Sequence, residues 1–393
     1  MAILPSAFWP AVGGVEELTR RLGTALADLG DQVQVWAPLG PGRSLPRRET
    51  FSGLPVTRIP MPLPPAKVPE APLAVPGMFT GLGQLARAIA EFRPDLLHVQ
   101  CFGPNGAYAT VASLLTRTPL VVSLQGETVM DDHDVYERSA VLRLALRLGL
   151  RRASAVTACS AFTLEDARRF GLKPGQGQLV FNGVTLDEPD LQATAETGPA
   201  QAPPAALGRY VLALGRVVEK KGFDLLLRAF AQLEAPAEVS LVLGGDGPAL
   251  RALRDLATTL GVAPRVHFAG KLDRMAVARL MRGAEVFVMP SRVEPFGIVV
   301  LEAWREGTAV VATTHGGPPE FIEDGVDGVL ADPFDPGALA RAIGSLLDDG
   351  ERRARIARNG QAKVRGFAWQ AIASQYREIY SAITAAAPVR APV

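Results

Sequence analysis

Cysteine and histidine are scarce: two cysteines, Cys101 and Cys159, and four histidines are scattered over 393 residues. No ligand spacing links them, and both cysteines lie among apolar or small neighbours. Buried free thiols are therefore expected in place of a disulfide, and no metal site is expected. Surplus charge is lacking as well. Forty-one basic residues face 40 acidic ones, a formal net charge of +1, so no overall basic field recruits nucleic acid as a partner. No run of about twenty apolar residues occurs, which argues against a membrane-spanning helix. The opening Met1-Ala-Ile-Leu-Pro5 lacks a basic stretch followed by a long apolar one. A cytoplasmic protein without a signal peptide is the expectation.

What is present is alternation. Val33-Gln-Val-Trp-Ala37, Leu96-Leu-His-Val99, Leu120-Val-Val-Ser-Leu124 and Ala155-Val-Thr-Ala158 read as buried strands, with helical stretches such as 16–29 and 79–92 between them. The second half repeats the scheme with Tyr210-Val-Leu-Ala-Leu214, Val239-Ser-Leu-Val-Leu243, Val266-His-Phe268, Val286-Phe-Val-Met289 and Ala309-Val-Val-Ala312. Helices are expected there at 223–233, 248–260, 275–282 and 297–306. Continuous apolar strands alternating with helices predict α/β domains with parallel sheets covered on both faces. Residues 187–208, rich in Pro, Ala, Glu and Thr and without apolar period, predict a linker. The expected domains are thus 1–186 and 209–370, with a final helix near 369–385 and a tail to 393. Residues 60–76 hold seven prolines. They are expected to form a long loop, neither helix nor central strand, either as a surface excursion or as an acceptor-side element.

Three stretches of the second half carry chemistry. After the strand ending at Leu214, Gly215-Arg216 and then Lys221-Gly222 place two cations beyond a strand's carboxyl end, where open α/β sheets bind ligands. They suit a diphosphate or form a solvated basic turn. Gly244-Gly-Asp-Gly-Pro248 is a strand-to-helix turn that differs from the G-x-G-x-x-G of dinucleotide enzymes. It allows close backbone approach or is simply a tight connection. Pro290-Ser-Arg-Val-Glu294-Pro-Phe-Gly297 and Glu302 form the richest stretch. Free N–H groups at a helix start attract phosphate or sugar oxygens, and carboxylates accept from sugar hydroxyls. The plainer alternative is a helix-terminal charge at Glu294 and a solvated face at Glu302. The apolar neighbours Ile298 to Leu301 make a buried Glu302 costly unless it is paired or liganded. In the first half, Gly13-Gly14 opens a helix after the first strand, as a backbone contact for a phosphate or as a plain turn.

Together these stretches resemble the retaining glycosyltransferases of family GT4, which have the GT-B fold of two facing Rossmann-like domains with a cleft between them. In the second half the resemblance rests on Gly215-Arg216 with Lys221-Gly222, Gly244 to Pro248, Phe268-Ala-Gly-Lys-Leu272, Glu294 and Glu302 eight residues apart, Gly316-Gly317-Pro-Pro-Glu320 and Asp324-Gly-Val-Asp-Gly328. Gly13-Gly14, Asp95 to His98, Thr157-Ala-Cys-Ser160 and Asn182-Gly183 match more loosely. The resemblance implies transfer of a sugar from a nucleotide-diphosphate sugar to an acceptor hydroxyl, with retention and without metal or other cofactor. It implies that Arg216 and Lys221 hold the diphosphate and Glu302 the ribose. Glu294 with the main chain of Phe296, Gly297 and Ile298 would hold the donor sugar. Lys271 and Leu272 would lie beside the base, and Gly14 would meet the diphosphate from the opposite domain. The last helix would cross back to the first domain.

One departure concerns the reacting centre. Many family members have a histidine after the strand Leu120 to Leu124, where this chain has Gln125-Gly-Glu127. Gln125 can hydrogen-bond a sugar hydroxyl but does not titrate near neutral pH. The expected catalytic set is Glu294, Gln125, Arg216 and Lys221. Glu127, Asp131 and His133 are acceptor-side candidates, with a polar lining loop and an exposed helix start as the alternatives. Residues 138–152, five arginines among leucines, form either a peripheral contact with an anionic membrane or a basic surface helix. Two other functions stand beside transfer: a nucleotide-sugar 2-epimerase, and a sugar-nucleotide binding protein of weak catalysis.

Overall fold

The computed structural model describes every residue except 11–12, 40–44, 64–70, 132–134, 187–207, 235–237 and 387–393, and no side chains at 71–75 and 386. The chain divides into two compact units. Unit 1 comprises Met1–Gly183 with the segment from Trp369 on, and unit 2 comprises Val184–Ala368. The expected linker lies outside the described residues apart from Gly208, and so do residues 64–70 of the proline-rich stretch.

Unit 1 is built on β1 (Ala2–Pro5), β2 (Gln34–Pro38), β3 (Arg48–Phe51), β4 (Leu54–Ile59), β5 (Leu97–Gln100), β6 (Leu120–Leu124), β7 (Ala155–Ala158) and β8 (Gln178–Leu179). They lie in the order β3-β4-β2-β1-β5-β6-β7-β8. Only the β3–β4 hairpin is antiparallel. The apolar runs of β1, β5 and β6 are buried throughout, as strands sandwiched between helix layers must be. One face carries a core with Phe102, Leu146 and Val122; the other carries Leu22, Val35 and Trp369. The last helix, Trp369–Ala386, packs on that second face through Trp369, Ile372 and Tyr376.

Between sheet and last helix runs a buried polar chain. The His98 ring meets Ser123 Oγ at 2.6 Å and the Tyr380 hydroxyl at 2.7 Å, and Ser123 Oγ meets Thr157 Oγ1 at 2.5 Å. Complete desolvation pulls the His98 pKa down to about 3, so this ring is a neutral structural link.

Two sequence expectations are corrected in unit 1. The proline-rich stretch does not stay a loop to residue 76: a helix begins inside it and runs Ala71–Phe92 with Pro76 within. Pro72 falls in the first turn, whose N–H groups have no intrahelical partner to lose, whereas Pro76, one turn further in, forgoes one i→i−4 bond. The basic stretch 138–152 is two helices, Val135–Arg138 and Ala140–Arg152, separated by Ser139, whose hydroxyl caps the second through Leu142 N. The two cysteines are buried free thiols.

Unit 2 has β9 (Tyr210–Leu214), β10 (Ser240–Gly244), β11 (Val266–Gly270), β12 (Val286–Met289), β13 (Ala309–Thr313) and β14 (Val329–Ala331). Their order is β11-β10-β9-β12-β13-β14, all neighbours parallel. A core with Leu226, Phe230, Val288, Val311 and Ile343 fills the space between sheet and helices. The winding runs from β9 outward through β10 and β11, then restarts at β12 on the other side of β9. This reversal of strand order opens a crevice beyond the carboxyl ends of β9 and β12.

Candidate active site

Both cation and carboxylate stretches of unit 2 leave the sheet at that reversal. The loop after β9 carries Arg216 and Lys221, and the loop after β12 carries Ser291 to Gly297. The two are tied main chain to main chain, Arg292 N donating to Lys220 O at 2.9 Å. Gly222 lies at φ +68°, and a Cβ there would stand 2.0 Å from the Pro290 carbonyl oxygen. Only glycine lets the loops close this far. The loop after β13 joins on the other side: Glu294 N donates to His315 O at 3.0 Å, and Gly317 N donates to Glu294 O at 2.8 Å.

Within this frame Lys221 Nζ lies 2.7 Å from Glu294 Oε2, and Ser291 Oγ donates to the same oxygen at 2.8 Å. Glu294 is 6% exposed, so the charge pair sits largely out of water, where each partner depends on the other. Oε1 takes no part in either contact. Arg292 grips Asp224 with two bonds of 2.6 and 2.7 Å. Burial pushes the Asp224 carboxyl up, but the bonds and charge of Arg292 outweigh it and hold the group below its ordinary range. The strap joins the helix that follows Lys221 to the Glu294 loop.

Of the other expected donor residues, Arg216 is exposed just past β9, while Lys271 and Leu272 follow β11, two strands from β9. Gly297 precedes the helix Ile298–Arg305, and Glu302 lies half-buried along it. The Phe296 ring is buried 4.7 Å from that of Phe321, beside Phe367. Its side chain is a core element.

In unit 1 the strand order reverses at β1 and β5, and Gln125 follows β6 beside them. Its side chain is fixed from two sides: Asn182 Nδ2 donates to Gln125 Oε1 at 3.0 Å, and Gln125 Nε2 donates to Gln100 Oε1 at 3.3 Å. Glu127 turns inward, accepting from Phe102 N at 2.5 Å and from Gln125 N at 2.6 Å. Desolvation pushes its carboxyl up to about 7, against the pull of those N–H groups. Asp131 accepts from Tyr136 N at 3.0 Å, at the start of the helix Val135–Arg138. Gly14 is the exposed first residue of the helix Gly14–Asp28. His133 and residues 11–12 lie outside the described residues.

Sequence reasoning did not single out Ser291, the Asp224–Arg292 strap, Gln100 or a role for Asn182 toward Gln125. Ser291 stands three residues before Glu294 and could have been noticed; the amides carry no charge and no spacing that marks them. Among the described residues no group of His, Cys, Asp and Glu could hold a metal ion, and no helix is long and apolar enough to cross a membrane.

Each unit is a Rossmann-like domain, and unit 2 holds a part-buried lysine–glutamate pair at the reversal of its strand order. Comparisons with known proteins identify the class. Residues 13–183 match the glycosyl transferase 4-like domain and residues 200–363 match glycosyl transferases group 1. The chain is 30% identical over 413 residues to the D-inositol 3-phosphate glycosyltransferase of Xylanimonas cellulosilytica, covering 96% of this chain and 94% of that one. It is similar to sucrose-phosphate synthase of Thermosynechococcus elongatus with TM-score 0.78 and 25% identity, over 98% and 99% of the two chains. HepE of Anabaena, in complex with UDP-glucose, shares the fold with TM-score 0.75 and 24% identity, over 97% and 100%. The chain belongs to the GT4-type glycosyltransferases and has their GT-B fold.

Proposed function

We propose that the protein moves a sugar from a nucleoside-diphosphate sugar to an acceptor hydroxyl with retention and without a metal ion. The Lys221–Glu294 pair at the β9/β12 crevice carries this reading. Arg216 and Lys221 grip the diphosphate, and their charge, with the helix start at Ile298, neutralises the leaving phosphate in the role a metal would otherwise fill. Glu294 Oε1 and the main chain of Phe296, Gly297 and Ile298 take the sugar hydroxyls. Glu302 takes the ribose, and the main chain of Lys271 and Leu272 lies along the base. Gly14 and Gln125 act on the donor from unit 1. The bond from the anomeric carbon to phosphate breaks as the acceptor oxygen attacks the same face, and the departing phosphate oxygen takes the acceptor proton. That HepE is solved with UDP-glucose supports a UDP-sugar as the first donor to try.

The test is a thermal-shift screen against UDP-, GDP- and ADP-sugars, since a ligand of the native state raises the melting temperature. Proton NMR of the product anomer follows, with and without EDTA. Retained configuration and unchanged rate in EDTA are expected, with turnover lost in Glu294→Ala. An inverted product or a rate abolished by EDTA overturns the mechanism. Conversion of donor alone to its 2-epimer would make the protein an isomerase.

An anionic membrane surface is the partner we propose for unit 1. The helices Pro104–Thr116 and Ala140–Arg152 run side by side in the same direction, Gly149 against Thr110 and Arg152 bonded to the Ser113 carbonyl. Val111, Leu114 and Leu115 on one, and Val141, Leu144 and Leu148 on the other, are exposed. At 3.6 residues per turn each set forms one face, and the parallel pairing turns both faces to the same side. Neither helix has an acidic residue, while Arg117, Arg147 and Arg151 are exposed beside the apolar faces. Co-flotation with vesicles containing phosphatidylglycerol, absent with phosphatidylcholine alone and lost in a Leu115→Asp/Leu144→Asp variant, is expected. Equal recovery with both lipids would remove the proposal.

A further inference from the structure

Glu127 occupies an unusual position for a carboxylate in a loop. It is half-buried and bridges two strand exits. One oxygen accepts from the main chain just past β5, the other from the main chain just past β6. The β5 exit needs holding: Cys101, immediately before Phe102, lies at φ +60°, a conformation disfavoured for a residue with a side chain. The Tyr136 hydroxyl holds the other side of the same turn by donating to Phe102 O. The residue whose N–H occupies the second oxygen of Glu127 is Gln125 itself. Gln125 is therefore fixed three times, by Glu127 through its main chain and by Asn182 and Gln100 through its carboxamide.

We propose that Glu127 is a positioning residue: its carboxylate joins the exits of β5 and β6 and thereby sets Gln125, and a proton on that carboxylate loosens the join. A carboxylate accepts at both oxygens, whereas a carboxylic acid commits one of them to an O–H. With both oxygens facing N–H donors, protonation leaves one donor without its partner. Among the described residues, the groups that face Glu127 are Cys101 from the β5 exit, Tyr136 from the helix Val135–Arg138, Cys159 from beyond β7 and Asp166 from the helix Ala161–Arg168. None is a cation. Burial pushes both thiols and the Tyr136 hydroxyl up, so they stay neutral when Glu127 ionises, and the charge of Asp166 opposes that ionisation. The inference for the reaction rests on the placing of Gln125 at the reacting centre.

The experiment is a pH titration, from about 5.5 to 8.5, of full-length protein labelled with 15N-glutamine and 15N-phenylalanine. The Gln125 main-chain and side-chain signals and the Phe102 amide are expected to move together with a midpoint of about 7. In Glu127→Gln they stay still, and in Asp166→Asn the midpoint falls. Static signals in the wild-type protein, or an unchanged midpoint in Glu127→Gln, overturn the proposal. The wild-type and Asp166→Asn titrations decide the matter even where Glu127→Gln does not fold. Turnover of the donor found by the thermal-shift screen is then followed over the same range. A rate that rises with the same midpoint ties the join to the reaction. Titrating signals with a flat rate would leave the join standing and remove Gln125 from the reacting centre.

Discussion

In unit 2 the loops beyond β9, β12 and β13 are laced main chain to main chain, and a part-buried ion pair, Lys221–Glu294, stands in the resulting frame. In unit 1 the loops beyond β5 and β6 are joined by side chains: Glu127 spans them, while Gln100 and Asn182 hold the Gln125 carboxamide. A main-chain frame keeps its shape whatever side chains it carries, provided no Cβ intrudes, which fits the diphosphate-holding role proposed for unit 2. A frame of side chains can be re-cut by single substitutions, which fits the acceptor-side role proposed for unit 1.

The contrast breaks most directly at Lys221. Lys221→Ala removes the cation and leaves Glu294, 6% exposed, with its charge unpaired. Loss of such a desolvated pair is expected to weaken nucleoside-diphosphate binding by about 2–5 kcal/mol, roughly thirty- to several-thousand-fold. Calorimetry with the diphosphate measures it, and an unchanged affinity would remove Lys221 from the donor site. The next effect is in unit 1 and depends on pH. An unfolded chain ionises Glu127 near its ordinary 4.5, the folded one only near 7. The contribution of this group to stability is therefore full below pH 4.5 and is lost as pH rises through 7, a fall of about 3 kcal/mol. Urea unfolding at about pH 5 and 8.5 should show this component in the wild-type protein and not in Glu127→Gln; equal pH slopes in the two proteins would contradict the burial argument. A smaller effect tests the main-chain frame. Gly316 lies at φ +108°, and a Cβ there would stand 2.1 Å from Glu294 O. Gly316→Ala is expected to cost about 1–3 kcal/mol in backbone strain alone. If diphosphate affinity survives that change undiminished, the lacing of Glu294 to the β13 loop is not what holds the site.

How far the molecule could be read from its sequence follows the same division. Five of the six strands of unit 2 and the central strands of unit 1 were legible because continuous apolar runs mark buried parallel strands, while the three-residue β14, Val329–Ala331, was not read. The β3–β4 hairpin was not, since Arg48-Glu-Thr-Phe51 and the Pro55-containing Leu54–Ile59 interleave polar residues and a proline with apolar ones. The helix that begins at Ala71 was hidden by a proline rule that relaxes only in the first turn, where Pro72 falls, while Pro76 is an interior exception to it. In unit 2, charge marked Lys221 and Glu294 as residues with chemistry, although nothing in the sequence showed that they touch across 73 positions. In the other half, Glu127 was legible as a carboxylate and its direction was not. Whether it faces solvent or two strand exits depends on the left-handed turn at Cys101, which has no sequence signature.

Asn182 gives the finest test of the comparison. It is 6% exposed and spends its amide on Gln125 Oε1 at 3.0 Å. Asn182→Ala removes one neutral hydrogen bond, expected to cost about 1 kcal/mol of stability, measurable as a lower urea midpoint at unchanged slope. The distribution of its effect on function matters more than its size. Gln125 would keep its main-chain anchor at Glu127 and its contact with Gln100, but its carboxamide would be free to turn. If the frame of unit 2 holds the diphosphate, as proposed, its affinity should stay as in the wild-type protein. Turnover should fall, and Asn182→Asp should not restore it, since a carboxylate offers Gln125 Oε1 no donor. A loss of diphosphate affinity as large as that in Lys221→Ala would show that the two frames are not independent, and that the side-chain-held loop of unit 1 reads the donor as strictly as the main-chain-laced loops of unit 2.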